Sequence, residues 1–158
     1  MKELQLTQGK VALVSDHRFE HLNQWKWYAC KMGNKWYARR KEVWGGKSII
    51  LHRYIMGVTD PNILVDHIDG DGLNCQDENM RLCTQAENLR NRGKTSKNTS
   101  GYKGVTWNKH AKKFNASITV KGLWKHLGLF TDAQEAARAY DQAAREYFGE
   151  FARPNLQG

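Results

Sequence analysis

Four residues carry the types and spacing that hydrolysis of a phosphodiester would need: a base to activate water, oxygen ligands for a cation, and something to hold them in register. Asp66-His67 sets a hard carboxylate beside an imidazole at the end of the apolar run Ile63-Leu64-Val65. Neighbours in a strand point to opposite sides, so the two side chains serve different roles unless the strand ends there. Asn88 follows His67 by 21 residues, within the first turns of a helix. Its side-chain oxygen is a hard ligand suited to magnesium or manganese. Asn79 follows His67 by 12 residues, in the intervening loop. There it can bond the backbone and hold the loop that presents His67. Taken singly, a His beside an Asp is an ordinary surface pair and an Asn caps a turn.

A calcium loop starting at Asp69 is excluded. It would need an oxygen ligand where Leu73 stands and a glutamate where Met80 stands. Asp69 and Asp71 are read instead as structural turn residues.

The elements that position these residues follow from hydrophobic pattern. Residues 58–94 read as strand, loop, strand, helix, with Met80-Arg81-Leu82-Cys83 the second strand. Thr84 and Glu87 form a capping-box pattern at the helix start. Residues 1–57 read as short strands and turns: Val11 to Val14, Trp25 to Ala29, Lys35 to Arg39, and Ser48 to His52. The tryptophans there are assigned to packing. The polar stretch around 95–100 has the composition of a linker. In residues 101–156, Phe114, Ala116, Ile118 and Val120 alternate with Asn115, Ser117 and Thr119, and Lys121-Gly122 marks a turn into a third strand from Trp124. A helix follows with Ala133, Ala136, Ala137, Tyr140, Ala144 and Phe148 on one stripe. Three antiparallel strands with the helix on one face is the expected packing. The fold class is therefore α+β.

Charge and cysteine usage bound the function. The 158 residues include 25 Lys and Arg against 16 Asp and Glu, a net charge of +9. A chain this basic favours a polyanion, and nucleic acid is the usual one. From 101 to 126 there are six lysines and no acid, while the acids of that module sit in its helix. This is the footprint of a sheet laid on a phosphate backbone. Three cysteines without a C-x-x-C pair speak against a disulfide framework and a Cys-rich zinc site. Reduced thiols, no apolar run long enough to span a bilayer and no signal-peptide pattern lead to the expectation of a cytoplasmic protein.

The run Val65-Asp66-His67-Ile68-Asp69-Gly70-Asp71, then Asn74, Glu78-Asn79-Met80-Arg81 and Ala86-Glu87-Asn88-Leu89-Arg90-Asn91, closely resembles the HNH family. The nearest members are phage and intron homing endonucleases with the His-Asn-Asn form of the motif. Leu51-His52-Arg53 matches what that subgroup carries upstream. The resemblance covers roughly residues 50–92. It implies a ββα-metal fold, His67 as general base, Asp66 and Asn88 as ligands of Mg2+ or Mn2+, and Asn79 as the residue positioning His67. His52, Arg53, Arg81, Arg90 and Arg92 become candidate DNA contacts, most of them to phosphate.

Tyr102-Lys103-Gly104-Val105, Leu127-Gly128-Leu129-Phe130, Ala136 to Ala144 and Ala152-Arg153-Pro154-Asn155 resemble the APETALA2-type DNA-binding domain over nearly all of 101–155. In that family the sheet enters the major groove. The matching positions are Lys103, Thr106, Asn108, His110, Lys113, Ser117, Thr119, Trp124 and His126. Plant members carry several arginines there, and this chain has Thr, Asn, Ser and Thr, so base preference does not carry over. Trp107 and Phe114 are read as core, and Lys125, inward by strict alternation, is expected to snorkel unless the strand twists there.

The reading is a metal-dependent endonuclease acting on double-stranded DNA, site-specific or semi-specific and of homing type. It comprises an N-terminal β-rich brace (1–57), a nuclease module (58–94), a linker (95–100) and a DNA-binding domain (101–156). It implies a monomer that nicks, with no protein partner and no membrane. The alternative is a DNA-binding transcriptional regulator with a degenerate HNH fold.

Overall fold

The computed structural model describes residues 1–43, 46–95 and 97–156. Part of the N-terminal segment (residues 44 and 45) and one residue of the expected linker (residue 96) lie outside the described residues. The chain divides into two compact units, Met1–Gln85 and Ala86–Gly158. The architecture is a mixed α+β one, with several small sheets and few helices.

In the first unit, β1 (Lys2–Gln5) and β2 (Val11–Val14) form a hairpin. A short helix, α1 (Asp16–Leu22), follows. Next come β3 (Tyr28–Met32), β4 (Lys35–Lys41) and β5 (Ser48–Ile50), paired antiparallel in that order. The helix α2 (Leu51–Ile55) runs directly out of β5. Then β6 (Leu64–His67) and β8 (Met80–Cys83) pair antiparallel. Between them β7 (Asn74–Cys75) adds in parallel to β2. The helix α3 (Gln85–Arg90) begins one residue past Thr84 and, but for Gln85, belongs to the second unit; the order strand, loop, strand, helix holds over 64–90.

One apolar core serves the whole unit. Leu4, Val14, Leu22, Trp27 and Leu51 pack in it together with Val65, Cys75 and Met80. The N-terminal segment is also tied to the loop after β6 by polar bonds. Arg18 Nε lies 2.7 and 2.9 Å from the two carboxylate oxygens of Asp77, and the Asp77 backbone N–H donates to Ser15 Oγ at 2.9 Å. Arg40 is buried among aromatic faces, its guanidinium 4.5 Å from the Trp25 ring and 5.4 Å from the Tyr54 ring. These tryptophans pack, as their sequence context implies.

Three local expectations fail in this unit. The strand expected over Ser48 to His52 ends at Ile50, because Leu51 and Ile55, one helical turn apart, bury together in the core. The strand expected from Trp25 starts only at Tyr28, since Trp27 Nε1 donates to the Leu22 carbonyl and anchors this stretch to the end of α1. The helix α1 itself carries only two apolar residues, Phe19 and Leu22, too few to announce it.

In the second unit, β9 (Val105–Asn108), β10 (Lys113–Val120) and β11 (Leu123–Phe130) form an antiparallel sheet in the order β11-β10-β9. The helix α4 (Ala133–Phe148) covers one face. Asp132 caps it, accepting from the backbone N–H groups of Gln134 and Glu135 at 2.7 and 3.0 Å. Ala136, Ala137, Tyr140 and Ala144 are buried against Val105, Ala116 and Ile118. Small residues let the helix lie close. A Cβ at Gly104, where φ is +76°, would stand 2.0 Å from Tyr140 Cδ2. Phe114 joins this core, whereas Trp107 stays 47% exposed at the edge strand, packed edge-on to Phe114, and so is not the core residue expected. Lys125 snorkels as expected, its Nζ reaching the Tyr147 hydroxyl at 3.1 Å.

The stretch expected as a linker folds onto this unit. Asn98 Nδ2 donates to the Tyr102 carbonyl at 2.7 Å, and Ser100 Oγ to that of Val105 at 2.8 Å. Small polar side chains satisfy backbone groups here rather than leaving them to solvent. At the other end, the buried carboxylate of Asp141 accepts from the N–H groups of Asn155 and Leu156 at 2.7 and 2.9 Å.

Candidate active site

The strand β6 delivers Asp66 and His67 to opposite sides, and both are buried, at 4% and 5% exposure. Asp66 faces β8. It stands directly across the ladder from Arg81, whose Nε and Nη2 lie 3.0 and 2.8 Å from Asp66 Oδ2. His67 faces the N-terminal segment. Its ring lies 5.0 Å from that of His52, perpendicular to it, and 6.1 Å from that of Tyr37. Its Nε2 is 3.9 Å from Cys75 Sγ. Burial lowers the pKa of His67, with the Asp69 carboxylate the largest opposing influence, so the ring is neutral at pH 7 and able to accept a proton.

The loop after β6 is built around Asn79. Its Oδ1 accepts from the Asp69 backbone N–H at 3.1 Å, and its Nδ2 donates to the Asn74 carbonyl at 2.8 Å and to Asp69 Oδ1 at 3.0 Å. Asp69 Oδ2 accepts from Asn74 Nδ2 at 2.8 Å, and Asp71 Oδ1 from the Leu73 N–H at 3.0 Å. These acids are spent on the turn. Burial pushes the Asp69 carboxyl up, but the hydrogen bonds from Asp71, Asn74 and Asn79 outweigh it and hold the pKa down. Asn88 lies on α3 and is half-buried. Cys75 is inert as a nucleophile, since burial raises its thiol to about 12.

Three residues read from the sequence as DNA contacts are engaged otherwise. His52 is buried at 9% exposure inside the histidine cluster, and its Nδ1 has no hydrogen-bond partner among the described residues. Desolvation brings its pKa down to about 3. Arg53 donates to the carbonyls of Ile63 and Asp60 at 2.8 and 2.7 Å, and Arg81 holds Asp66. Spacing could not show this, because each side chain is claimed by residues distant in sequence. Tyr37 was missed for the same reason: nothing in an aromatic-rich strand marks the one ring that will face His67.

In the second unit, the face of the sheet away from α4 carries Thr106, Asn108, Lys113, Ser117, Thr119, Trp124 and His126. Their register sets them side by side: Lys113 opposite Asn108, Ser117 opposite His126, Thr119 opposite Trp124. Trp124 is 63% exposed and stacks on the His126 ring at 5.9 Å. His110 lies exposed in the β9–β10 turn. Lys103 is apart from this face. Its Nζ donates to the Arg90 carbonyl at 2.5 Å, and burial lowers its pKa to about 8. The Arg90 guanidinium packs 5.3 Å from the Phe148 ring.

A family model for HNH endonucleases matches residues 48–90. An uncharacterized HNH endonuclease of Acanthamoeba polyphaga mimivirus is 34% identical over 152 residues, spanning 93% of this chain and 75% of that protein. The chain belongs to the HNH endonuclease family. It is a nuclease. Protein 3.8 of Escherichia phage T7 is 36% identical over 89 residues, spanning 56% of this chain and 73% of its own length.

HNH nucleases generally use a divalent metal, which tests the donor set. Among the described residues no group of three or more His, Cys, Asp or Glu side chains is arranged to hold one. A cation at Asp66 would therefore be completed by amide or water oxygens. That is the chemistry of a hard ion such as Mg2+, which keeps several waters and takes one or two carboxylates. Such an ion would share the Asp66 carboxylate with Arg81.

Proposed function

We propose that this HNH nuclease hydrolyses phosphodiester bonds in double-stranded DNA, with His67 as general base. The observation that carries the reading is the state of His67: a buried neutral imidazole at the end of a strand, next to a buried carboxylate. His67 Nε2 or Nδ1 takes the proton of the attacking water. Asn79 holds the loop that fixes His67 in place. Asp66 would hold the divalent ion, Mg2+ or Mn2+. When bound, that ion supplies positive charge against the phosphate and the leaving 3′ oxygen.

The second unit supplies affinity and register as an APETALA2-type domain. Its free sheet face carries Lys113, Asn108, Trp124 and His126 without a single acid, which suits a phosphate-lined groove. One nuclease site cuts one strand per visit, so a monomer nicks. The activity is of homing type, and the protein works in the cytoplasm.

The test is supercoiled plasmid with Mg2+ or Mn2+, beside His67→Ala and an EDTA control. Loss of a general base lowers the rate roughly 10²- to 10⁴-fold. Metal-dependent nicking absent from the variant is the expected result. Equal cleavage by the variant would remove His67 from its role. DNA binding that survives EDTA with no cutting of any random-sequence library would overturn the cleavage reading.

A further inference from the structure

The strand β4 reaches the nuclease centre through Tyr37. Its ring lies 5.5 Å from His52 and 6.1 Å from His67. The other flank is closed by the loop after β6: a Cβ at Gly72 would stand 2.6 Å from Tyr37 Cε1, so backbone packs directly on the ring. The ring is thus fixed from two directions while the residue stays half-buried. The Asp66 carboxylate lies within electrostatic reach of the phenol. So a neutral donor is held beside the base, with the carboxylate within electrostatic reach.

A scissile phosphodiester brings two non-bridging oxygens that share one negative charge to this centre, and they gain charge as water adds to phosphorus. A phenol donates to such an oxygen without the desolvation cost of a lysine or arginine. We propose that the Tyr37 hydroxyl donates a hydrogen bond to a non-bridging oxygen of the scissile phosphodiester, so that the N-terminal segment supplies a catalytic residue as well as a brace. The proton stays on Tyr37 throughout, and the proton of the attacking water goes to His67. This rests on the reading of His67 as the general base.

Tyr37→Phe keeps the ring and removes only the donor. Single-turnover nicking of supercoiled plasmid with Mn2+ is compared for the wild type, Tyr37→Phe and His67→Ala. Duplex affinity is measured in EDTA by fluorescence anisotropy, and thermal midpoints by circular dichroism. The expected result is a Tyr37→Phe rate roughly 10²- to 10³-fold down, with affinity and midpoint unchanged. A wild-type rate in Tyr37→Phe overturns the proposal, as does a loss that tracks affinity or folding. If His67→Ala nicks like the wild type, the underlying reading fails instead. A second measurement decides Tyr37 without turnover. In protein labelled with ¹³C at tyrosine Cζ, the Tyr37 resonance should shift on adding a phosphorothioate-linked duplex, and an unmoved resonance at saturation rejects the contact.

Discussion

Asp66 and Arg81 face each other directly across the β6–β8 ladder, and the guanidinium places two nitrogens, at 3.0 and 2.8 Å, on a single carboxylate oxygen. Both side chains are nearly dry, at 5% and 12% exposure. Removing one partner of a buried pair strands the other charge, at a cost of about 3 kcal/mol or more. Arg81→Met should therefore lower the unfolding free energy of the first unit, measured by denaturant titration in EDTA, by that order. A cation bound at Asp66 replaces the lost charge, so Mn2+ should stabilise the variant more than it does the wild type. Equal Mn2+ shifts in the two proteins would place the ion elsewhere.

The pair also marks where sequence reasoning reaches its limit. The order strand, loop, strand, helix and the capped helix α4 were legible, because each rests on periodicity and turn chemistry within a few residues. Asn79 as the holder of its loop was legible from residue type and spacing. The partners of Arg53, Arg81 and His52 were not. Arg53 reaches across to the carbonyls of Ile63 and Asp60, and His52 turns inward because β5 gives way to α2. A positive charge in a basic chain looks the same whether it meets DNA or its own backbone, and only tertiary packing separates the two.

The buried His52 makes the first unit acid-sensitive. Its folded pKa is about 3 against 6.5 for an ordinary histidine. Between these values the unfolded chain binds the proton and the folded chain does not. The contribution to stability is therefore whole above pH 6.5 and is lost as the pH falls toward 3. At about 1.4 kcal/mol per unit this is on the order of 5 kcal/mol. His67, also lowered, adds in the same direction. Stability measured from pH 7 to pH 4 should fall steeply in the wild type and less so in His52→Phe. Parallel pH profiles would show that His52 is not the group responsible.

Asn79 makes three bonds that need both its donor and its acceptor. Asn79→Ala should cost about 2 kcal/mol and slow nicking more than it weakens duplex binding. Asn79→Asp tests the donor alone. A carboxylate still accepts from the Asp69 N–H but cannot donate to Asn74, and it sets a second negative charge against Asp69. It should be the less stable of the two at pH 7 and should recover as the pH approaches 4, where the new carboxyl protonates. An Asn79→Asp protein as stable as the wild type would mean that the donated bonds count for little.

The second unit offers a paired test of which side meets DNA. Lys113 lies exposed on the free sheet face opposite Asn108, while Lys125 spends its amine on the Tyr147 hydroxyl at the helix side. Each phosphate contact releases counterions, so losing one flattens the plot of log affinity against log salt by about one. Lys113→Ala should reduce that slope in duplex binding, and Lys125→Ala should leave it nearly as it was, although both remove one charge from a chain of net charge +9. Equal changes would mean that binding senses only overall charge, and a larger change for Lys125 would put the DNA on the face that α4 covers.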